Sequence, residues 1–334
     1  MSSEKEYNST HQQLIDKSII LIIKRDGNMT LSSLASQIVL MFLLMLVGFS
    51  VNKLNFMHEQ TSNDLTNILL LIIGPCLIIK AFEQPFSLNR FHEFLFVGIG
   101  VIVTYIIQIV ISHFLFKFSS DVNLRKIAEY SSVYPNVGFL GIPLAGSLFG
   151  SDGIFFAVVS LAVFNIFNWS HGVALFREKQ NHLATLKQIL INPNIIAIII
   201  GLIIFIFSFH LPGILDQAIT YIGNANTPLS MIIVGNSLAK LHFNRKAINL
   251  PIISCLILRN LIFPVISFFL LSFIGIRGTA LSVSLLLAAC PIASLGVLFT
   301  LQAHRDASPA ISLMSLSTVL SLITIPIVFT ICGL

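Results

Sequence analysis

The chain has 334 residues, of which 55% are hydrophobic and only 10% carry charge, and its mean hydropathy is +0.91. Soluble globular proteins carry roughly 25% charged residues, so this composition excludes a soluble enzyme, a disordered protein, a coiled coil and a nucleic-acid binder. In a protein of the lipid bilayer, the net charge of +5 mostly reports which loops face the cytoplasm.

The first 32 residues differ from the rest of the chain. They hold four basic and four acidic side chains. Their one apolar run, at 19–23, is too short for a signal-peptide core or a membrane span. A helix lying on the membrane surface and a mobile tail are both open interpretations of this N-terminal segment.

Ten apolar segments follow, each long enough to cross a bilayer as a helix, which takes about 20 residues. The predicted spans 1 to 10 are residues 33–54, 60–82, 92–116, 126–148, 153–176, 188–209, 214–239, 247–273, 278–303 and 308–332. Spans 4 and 9 are interrupted by proline and glycine. The sequence therefore predicts an all-α polytopic membrane protein with ten transmembrane helices.

Lysine and arginine are unevenly shared between the two sets of gaps. The gaps after odd-numbered spans hold eleven of them, and the gaps after even-numbered spans hold three. Because basic loops stay on the cytoplasmic side, this asymmetry predicts a cell-membrane protein with both termini outside and the connection 177–187 in the cytoplasm. The four basic residues of the tail argue weakly in the opposite direction.

Prolines recur at a near-constant offset between two halves of similar length, 33–176 and 188–334. The pairs are Pro75 with Pro228, 153 residues apart, and Pro135 with Pro291, 156 residues apart. Both pairs fall in equivalent spans, the second and the fourth of each half. Since an odd number of spans per half inserts the second copy upside down, the pattern predicts two inverted five-helix repeats, as in many secondary transporters.

Spans 4 and 9 carry small and polar residues around their prolines. Proline cannot donate to the helix ladder, and a backbone group freed in hydrocarbon costs several kcal/mol unless protein or water satisfies it. Asn136 offers a donor and an acceptor beside the first break, and Gly138 allows another backbone to approach. We therefore expect facing half-helix ends that form a site near the middle of the membrane, with an ordinary proline kink as the alternative.

The segment Pro-Asn-Val-Gly-Phe-Leu-Gly-Ile-Pro-Leu at 135–144 resembles the N-x-G-x-x-G-x-P-L signature of the auxin efflux carrier family. That family includes the plant PIN-type carriers and bacterial malate permeases. Four other segments are similar to motifs of the same family, namely 46–54, 75–82, 227–238 and 289–293. The resemblance extends over about residues 33–332.

The resemblance implies a scaffold of spans 1, 2, 6 and 7 beside a transport unit of spans 3–5 and 8–10. In the PIN-type members, spans 4 and 9 cross at their prolines, and a carboxylate substrate binds beside the crossing. Pro135, Asn136 and Pro291 match those positions. This chain lacks the long cytoplasmic loop of many plant members, so regulation through that loop is not transferable.

Several polar residues within the spans have two interpretations each. Arg259 lies near mid-depth of span 8, where an arginine costs roughly 2.5–3.5 kcal/mol on insertion scales, and it either neutralises a substrate carboxylate or pairs with a neighbouring helix end. Asn165 in span 5 either forms interhelical hydrogen bonds or lines a cavity. Asp64 is interpreted as a cap of span 2, and Lys80 as a cation that reaches the membrane interface.

No nucleotide loop, metal-ligand cluster or catalytic constellation is visible, so the sequence predicts neither an enzyme nor a cofactor. We expect a secondary transporter of small organic anions, such as malate, that works by alternating access. Its predicted substrate-binding residues are Pro135, Asn136, Gly138, Asn165, Arg259 and Pro291. A proton and sodium are both candidate coupling ions, and a homodimer is a candidate assembly. The alternatives are a sodium-coupled symporter of the bile-acid type and a non-transporting membrane sensor.

Overall fold

A computed structural model describes residues 31–177, 182–239 and 249–334. Both interpretations of the N-terminal tail, and part of the predicted connection 177–187, fall outside the described residues. Within them the protein is almost entirely helical, which confirms the predicted all-α class.

Fifteen α-helices, numbered in chain order, make up the described part of the chain. They are α1 (Leu31–Lys53), α2 (Glu59–Ile68), α3 (Gly74–Phe82), α4 (Leu88–Phe116), α5 (Val122–Val133), α6 (Ile142–Phe167), α7 (His182–Leu190), α8 (Pro193–Ile206), α9 (Gly213–Asn224), α10 (Asn226–Ala239), α11 (Leu250–Ile257), α12 (Phe263–Ile274), α13 (Gly278–Ala289), α14 (Leu295–Gln302) and α15 (Ser308–Cys332). Four π-helical turns interrupt or extend them, at Leu69–Ile73, Val137–Gly141, Asn168–Gly172 and Leu258–Ile262.

Six helical stretches among the described residues are long and apolar enough to cross a membrane. They are Leu31–Lys53, Glu59–Phe82, Leu88–Phe116, Val137–Gly172, Leu250–Ile274 and Ser308–Cys332. The other predicted spans are short or broken: span 6 contains the 14-residue α8, span 7 is divided at Ala225, and spans 4 and 9 unwind near their prolines. Because several apolar segments are broken, the described residues contain fewer long helices than the sequence has apolar segments.

The helix of span 6 begins at Pro193, five residues after the predicted start of the span at residue 188. The helix α7 ends at Leu190, and a new helix, α8, begins at Pro193. The side chain of Asn192 caps α8 by accepting a hydrogen bond from the N–H of Asn194 at 2.9 Å, and a proline at the first helical position sacrifices no intrahelical bond. Hydropathy alone does not detect a helix boundary inside an apolar run.

The predicted cap at Asp64 is wrong. The helix α2 begins at Glu59 with His58 as its N-cap residue, so Asp64 lies in the second turn. Lys80, interpreted from the sequence as a cation that reaches the membrane interface, has two acidic partners. Its Nζ lies 2.7 Å from the carboxylate of Glu83 and also contacts the carboxylate of Asp216, which ties α3 to α9.

The helices α1 and α10 cross with their backbones in direct contact. A Cβ atom at Gly48 would overlap the carbonyl group of Ile232, and one at Gly235 would overlap that of Met45. Small residues allow this approach, which gives membrane helices close van der Waals packing without a hydrophobic driving force. Two glycines therefore specify the contact between α1 and α10.

The helices pack in two groups. In the first group, α1 packs on α10, and α3 packs on α8 and α9. In the second group, α4 packs on α5, α6 and α12, and α13 packs on α6 and α12. The boundary between the groups runs past the breaks in spans 4, 6 and 7, and this boundary contains the candidate site.

Candidate functional site

Spans 4 and 9 break at the same place in space. The helices α5 and α13 both end there, and the extended segments that follow them pair as an antiparallel bridge between Pro135 and Ile292. The backbone N–H of Asn136 donates a hydrogen bond to the carbonyl oxygen of Pro291 at 2.6 Å. The two predicted prolines thus lie together in a crossing rather than in two independent kinks.

A second polar layer supports the crossing from behind. The backbone N–H of Ile292 donates to the Oγ of Ser317 on α15 at 3.1 Å. The same hydroxyl donates to the Oδ1 of Asn260 at 2.6 Å. A backbone group that the break frees therefore finds a buried acceptor, which is the condition for unwound chain at membrane depth.

Asn136 has one half of its amide engaged and the other half available. Its Oδ1 accepts a hydrogen bond from the N–H of Phe139 at 3.1 Å, which caps the π-helical turn Val137–Gly141. Its Nδ2 has no hydrogen-bond acceptor within the described part of the chain. Asn136 also lines the cavity described next, so a ligand there has an amide donor within reach.

A cavity of about 230 Å³ lies beside the crossing, between the two helix groups. One wall comes from the π-helical turn Leu69–Ile73, α3 and the starts of α8 and α10, and the other from the crossing and α6. Leucine, isoleucine and phenylalanine supply ten of the 22 lining residues, and valine, proline and alanine supply three more. The polar lining side chains include Asn136, Asn165, Trp169, Asn194, Asn226 and Ser294. An apolar pocket with a few convergent polar groups is the usual form of a small-molecule site.

Two donors in this cavity wall lack partners. The Nε1 of Trp169 and the Nδ2 of Asn226 are buried, and neither has an acceptor among the described residues. Leaving a buried N–H unsatisfied costs about 1–3 kcal/mol. Both residues line the cavity, so a ligand that supplies hydrogen-bond acceptors is one candidate partner for these donors.

Sequence reasoning missed both of these residues. Trp169 is the single tryptophan of the chain, and Asn226 stands two residues before Pro228 in the repeated proline motif. Those two signals were available. What the sequence did not show is that span 5 and the break in span 7 face one another.

The structure brings together some of the predicted site residues. Asn136, Gly138 and Asn165 line the same cavity. The Nδ2 of Asn165 donates a hydrogen bond to the carbonyl oxygen of Leu161 at 3.0 Å, one turn earlier in α6. This hydrogen bond is therefore intrahelical rather than interhelical. Pro135 and Pro291 contribute backbone to the crossing and do not appear in this cavity wall.

Arg259 lies apart from the cavity, on the other side of the crossing. Its side chain is completely buried. Its Nη1 donates to the carbonyl oxygen of Val133 at 2.8 Å and reaches that of Ser132 at 3.4 Å, and its Nη2 contacts the carbonyl oxygen of Ala288. Of the two roles that the sequence left open, this geometry favours pairing with helix ends.

A second cavity of about 540 Å³ adjoins the first and shares Asn136 and Phe139 with it. Its wall is more polar and extends to Glu59, Asn63 and Thr66 in the first turns of α2. Asn136 therefore lines both a mostly apolar cavity and a more polar one.

Comparison with known proteins decides the family. A family model described as "Membrane transport protein" matches residues 33–329. The chain belongs to this family, that of the auxin efflux carriers. It is 24% identical to the uncharacterized transporter MJ1031 of Methanocaldococcus jannaschii over 298 residues, which cover 86% of this chain and 95% of that protein. It is 23% identical to an uncharacterized transporter of Methanothermobacter thermautotrophicus over 287 residues, 85% of this chain and 93% of that protein.

The family assignment covers the whole candidate site. The matched region contains the crossing, both cavities and Arg259. This auxin efflux carrier family member is a multi-pass membrane transport protein, as the sequence predicted.

Proposed function

We propose that this protein is a secondary transporter that carries small organic anions, malate-like carboxylates among them, across the cell membrane by alternating access. The observation that carries the proposal is the set of N–H donors around one cavity: Asn136 Nδ2, Trp169 Nε1 and Asn226 Nδ2. A carboxylate supplies several acceptor lone pairs, and hydrogen bonds to an ionised acceptor are roughly twice as strong as neutral ones.

The charge of the cavity wall suits a carrier. None of the described residues that line the cavity is ionised at neutral pH. An anion would be held by amide and indole donors alone, without a fixed counter-charge. We expect modest affinity for this reason, which allows the substrate to leave on the far side of the membrane.

We propose that the chain crosses the membrane ten times. The stretch Val137–Gly172 has 36 residues, which at 1.5 Å per residue is about 54 Å, well beyond the roughly 30 Å of a bilayer core. Gly150, with φ 62° and ψ −142°, breaks it at the boundary predicted between spans 4 and 5. Counting this break as a loop, and counting the broken spans 4, 6, 7 and 9 as crossings, gives ten.

Two inverted repeats, 33–176 and 188–334, are the second architectural part of the proposal. The packing of α1 on α10 joins span 1 to span 7, and the packing of α8 on α3 joins span 6 to span 2. An inverted repeat makes these two contacts equivalent. The antiparallel bridge between Pro135 and Ile292 joins the fourth span of each half in the same symmetric way. We propose that 177–187 connects the repeats on the cytoplasmic side and that both termini lie outside.

The closed end of the boundary between the two groups supports alternating access. Phe82 of α3 and Phe205 of α8 pack against Phe155 of α6, with ring centroids 5.3 and 5.5 Å apart, and Phe94 of α4 lies 5.8 Å from Phe82. The rings come from both helix groups, so sliding one group past the other would open this end. The second, more polar cavity reaches Glu59, which lies at the other end of the helical stretch Glu59–Phe82 from the ring of Phe82.

Counterflow in proteoliposomes tests the proposal. Vesicles loaded with unlabelled malate, or with other mono- and dicarboxylates, are expected to accumulate radiolabelled anion in a saturable way. Protein-free vesicles and vesicles with the Asn136→Asp variant serve as controls. Binding without flux would favour the membrane sensor, and flux that requires a sodium gradient would favour the bile-acid type of symporter. Absence of both binding and flux across the panel would contradict an organic anion substrate.

A further inference from the structure

Arg259 is a buried positive charge without an acidic partner. None of the ion pairs among the described residues includes it. Among the described residues, Glu129 is the other buried residue with an acidic or basic side chain. Its carboxylate lies 3.5 Å from the Nδ1 of His113. An isolated buried charge is costly unless other groups compensate it. The groups around the guanidinium must therefore stabilise its charge.

The compensating groups are the carboxyl ends of two half-helices. The carbonyl oxygens of Ser132 and Val133 belong to the last turn of α5, and that of Ala288 belongs to the last turn of α13. The last carbonyl groups of a helix have no intrahelical donor. Each helix end carries about half a negative charge, so the two ends together match the single positive charge of one guanidinium.

The breaks in spans 4 and 9 create the need for a positive charge. Because α5 and α13 both stop at the crossing, their carboxyl ends meet there and both attract a cation. In transporters with discontinuous helices, unwound carbonyls and half-helix carboxyl ends are the groups that coordinate sodium. Here the π-helical turn Leu258–Ile262 presents Arg259 to the same kind of groups.

We infer that Arg259 is a built-in cation, which occupies the position at which a coupling cation would otherwise bind between the two helix ends. The electrostatic role follows from the hydrogen bonds and is independent of the substrate. Its consequence for coupling, that flux needs no sodium, rests on the proposed transport function. The substrate role that the sequence left open for Arg259 is the competing hypothesis.

The space around the guanidinium allows the inference to be tested with free ions. Its Nε has no acceptor among the described residues, and neither does the Oγ of Ser160. Both residues line a small cavity of about 30 Å³ beside Pro135 and Gln108. That volume exceeds the 10–15 Å³ or so that one water molecule requires. Shortening Arg259 to alanine would enlarge this cavity enough for a cation to reach the carbonyl groups.

The experiment compares melting temperatures of the purified full-length protein in sodium, lithium, potassium and choline chloride at equal ionic strength. The wild-type melting temperature is expected to be the same in all four salts. Arg259→Ala is expected to melt about 5–10 °C lower in choline chloride, because two helix ends then lack a cation. Guanidinium at concentrations well below denaturing ones, or sodium, is expected to restore at least half of that loss.

Asn260→Ala is the matched control. It removes an uncharged buried group from the same π-helical turn, where the Oδ1 of Asn260 accepts a hydrogen bond from Ser317. This variant is expected to melt at a lower temperature that no cation restores. Restoration of both variants by the same salt would indicate a general solvent effect and would contradict a cation site.

Two further outcomes would overturn the inference. Saturable stabilisation of the wild-type protein by sodium would mean that a cation site is still open. If Arg259→Ala does not fold, Arg259→Lys and Arg259→Gln replace it: the lysine variant is expected to melt clearly above the glutamine variant, and equal melting temperatures would show that charge is not required. These measurements need no substrate, so they can fail or succeed independently of the transport assay.

Discussion

The backbone nitrogen of Asn136 and the carbonyl oxygen of Pro291 lie 2.6 Å apart, in a hydrogen bond that joins the two broken spans. A second bond runs from the N–H of Ala293 to the carbonyl oxygen of Tyr134 at 3.0 Å. Each break therefore satisfies a backbone group that the other break frees. This reciprocity explains how two unwound segments persist at a depth where each unpaired group would cost several kcal/mol.

Asn136→Asp is predicted to weaken anion binding strongly while leaving the fold intact. An aspartate keeps the oxygen that caps the N–H of Phe139, but it replaces the amide donor with an acceptor that repels a carboxylate. Losing one charge-assisted hydrogen bond corresponds to about 10- to 100-fold in affinity. Substrate affinity and melting temperature measured on the same preparation check this.

Asn136→Ala provides the comparison, because it removes the cap and the donor together. Its melting temperature is expected to fall, because losing the cap lowers the free energy of unfolding by about 1 kcal/mol. Its transport is expected to fall strongly, as in the aspartate variant. Unchanged affinity in Asn136→Asp would remove Asn136 from the substrate site.

Trp169→Phe is predicted to weaken substrate binding about 5- to 30-fold. Its stability is expected to change little, because losing an unpaired buried donor offsets the loss of ring volume. The phenylalanine keeps an aromatic ring against Phe299, whose centroid lies 5.6 Å from that of Trp169. It removes the unpaired Nε1 donor and part of the apolar volume of the indole. The loss corresponds to one hydrogen bond of about 1–2 kcal/mol. Isothermal titration of both proteins with the anion found in the counterflow panel measures the difference. Equal affinities would show that the indole N–H does not face the ligand.

Gly235→Ala is predicted to destabilise the packing of α1 on α10 by about 1–3 kcal/mol or more, since a Cβ there overlaps the carbonyl group of Met45. Gly213→Ala is the control, because a Cβ at Gly213 meets no atom within 4 Å. Its stability is expected to change by less than about 0.5 kcal/mol. Thermal unfolding of the two variants in the same detergent compares them, and similar melting temperatures would contradict the direct contact of the two backbones.

The connection between the repeats is predicted to lie in the cytoplasm. A cysteine at Lys179 is therefore expected to resist an impermeant thiol reagent in intact cells and to react after the membrane is opened. A cysteine at Gln84, in a gap predicted to be external, is the positive control. Both are placed in a protein whose partly exposed Cys76 and Cys332 have been replaced. External labelling at position 179 would reverse the predicted orientation.

Local features of the sequence were sufficient for the fold class and for the breaks. Hydropathy registers apolar runs one segment at a time, and proline at 135 and 291 interrupts a helix whatever surrounds it. For the same reason Asn136 and Gly138 were identifiable beside the first break. The start of α8 was missed because an asparagine cap followed by proline makes a boundary that hydropathy does not see.

Only the tertiary structure decided which of these local features meet. Trp169 and Asn226 lie 57 positions apart, and they join one cavity because the helix groups that carry them pack against each other. The sequence offered a neighbouring helix end as one of two partners for Arg259, but it did not show which helix ends. Those partners are backbone carbonyls that any residue possesses and that become acceptors only where two half-helices end together. Composition and periodicity describe what each segment buries, whereas a binding site depends on contacts between segments distant in the chain.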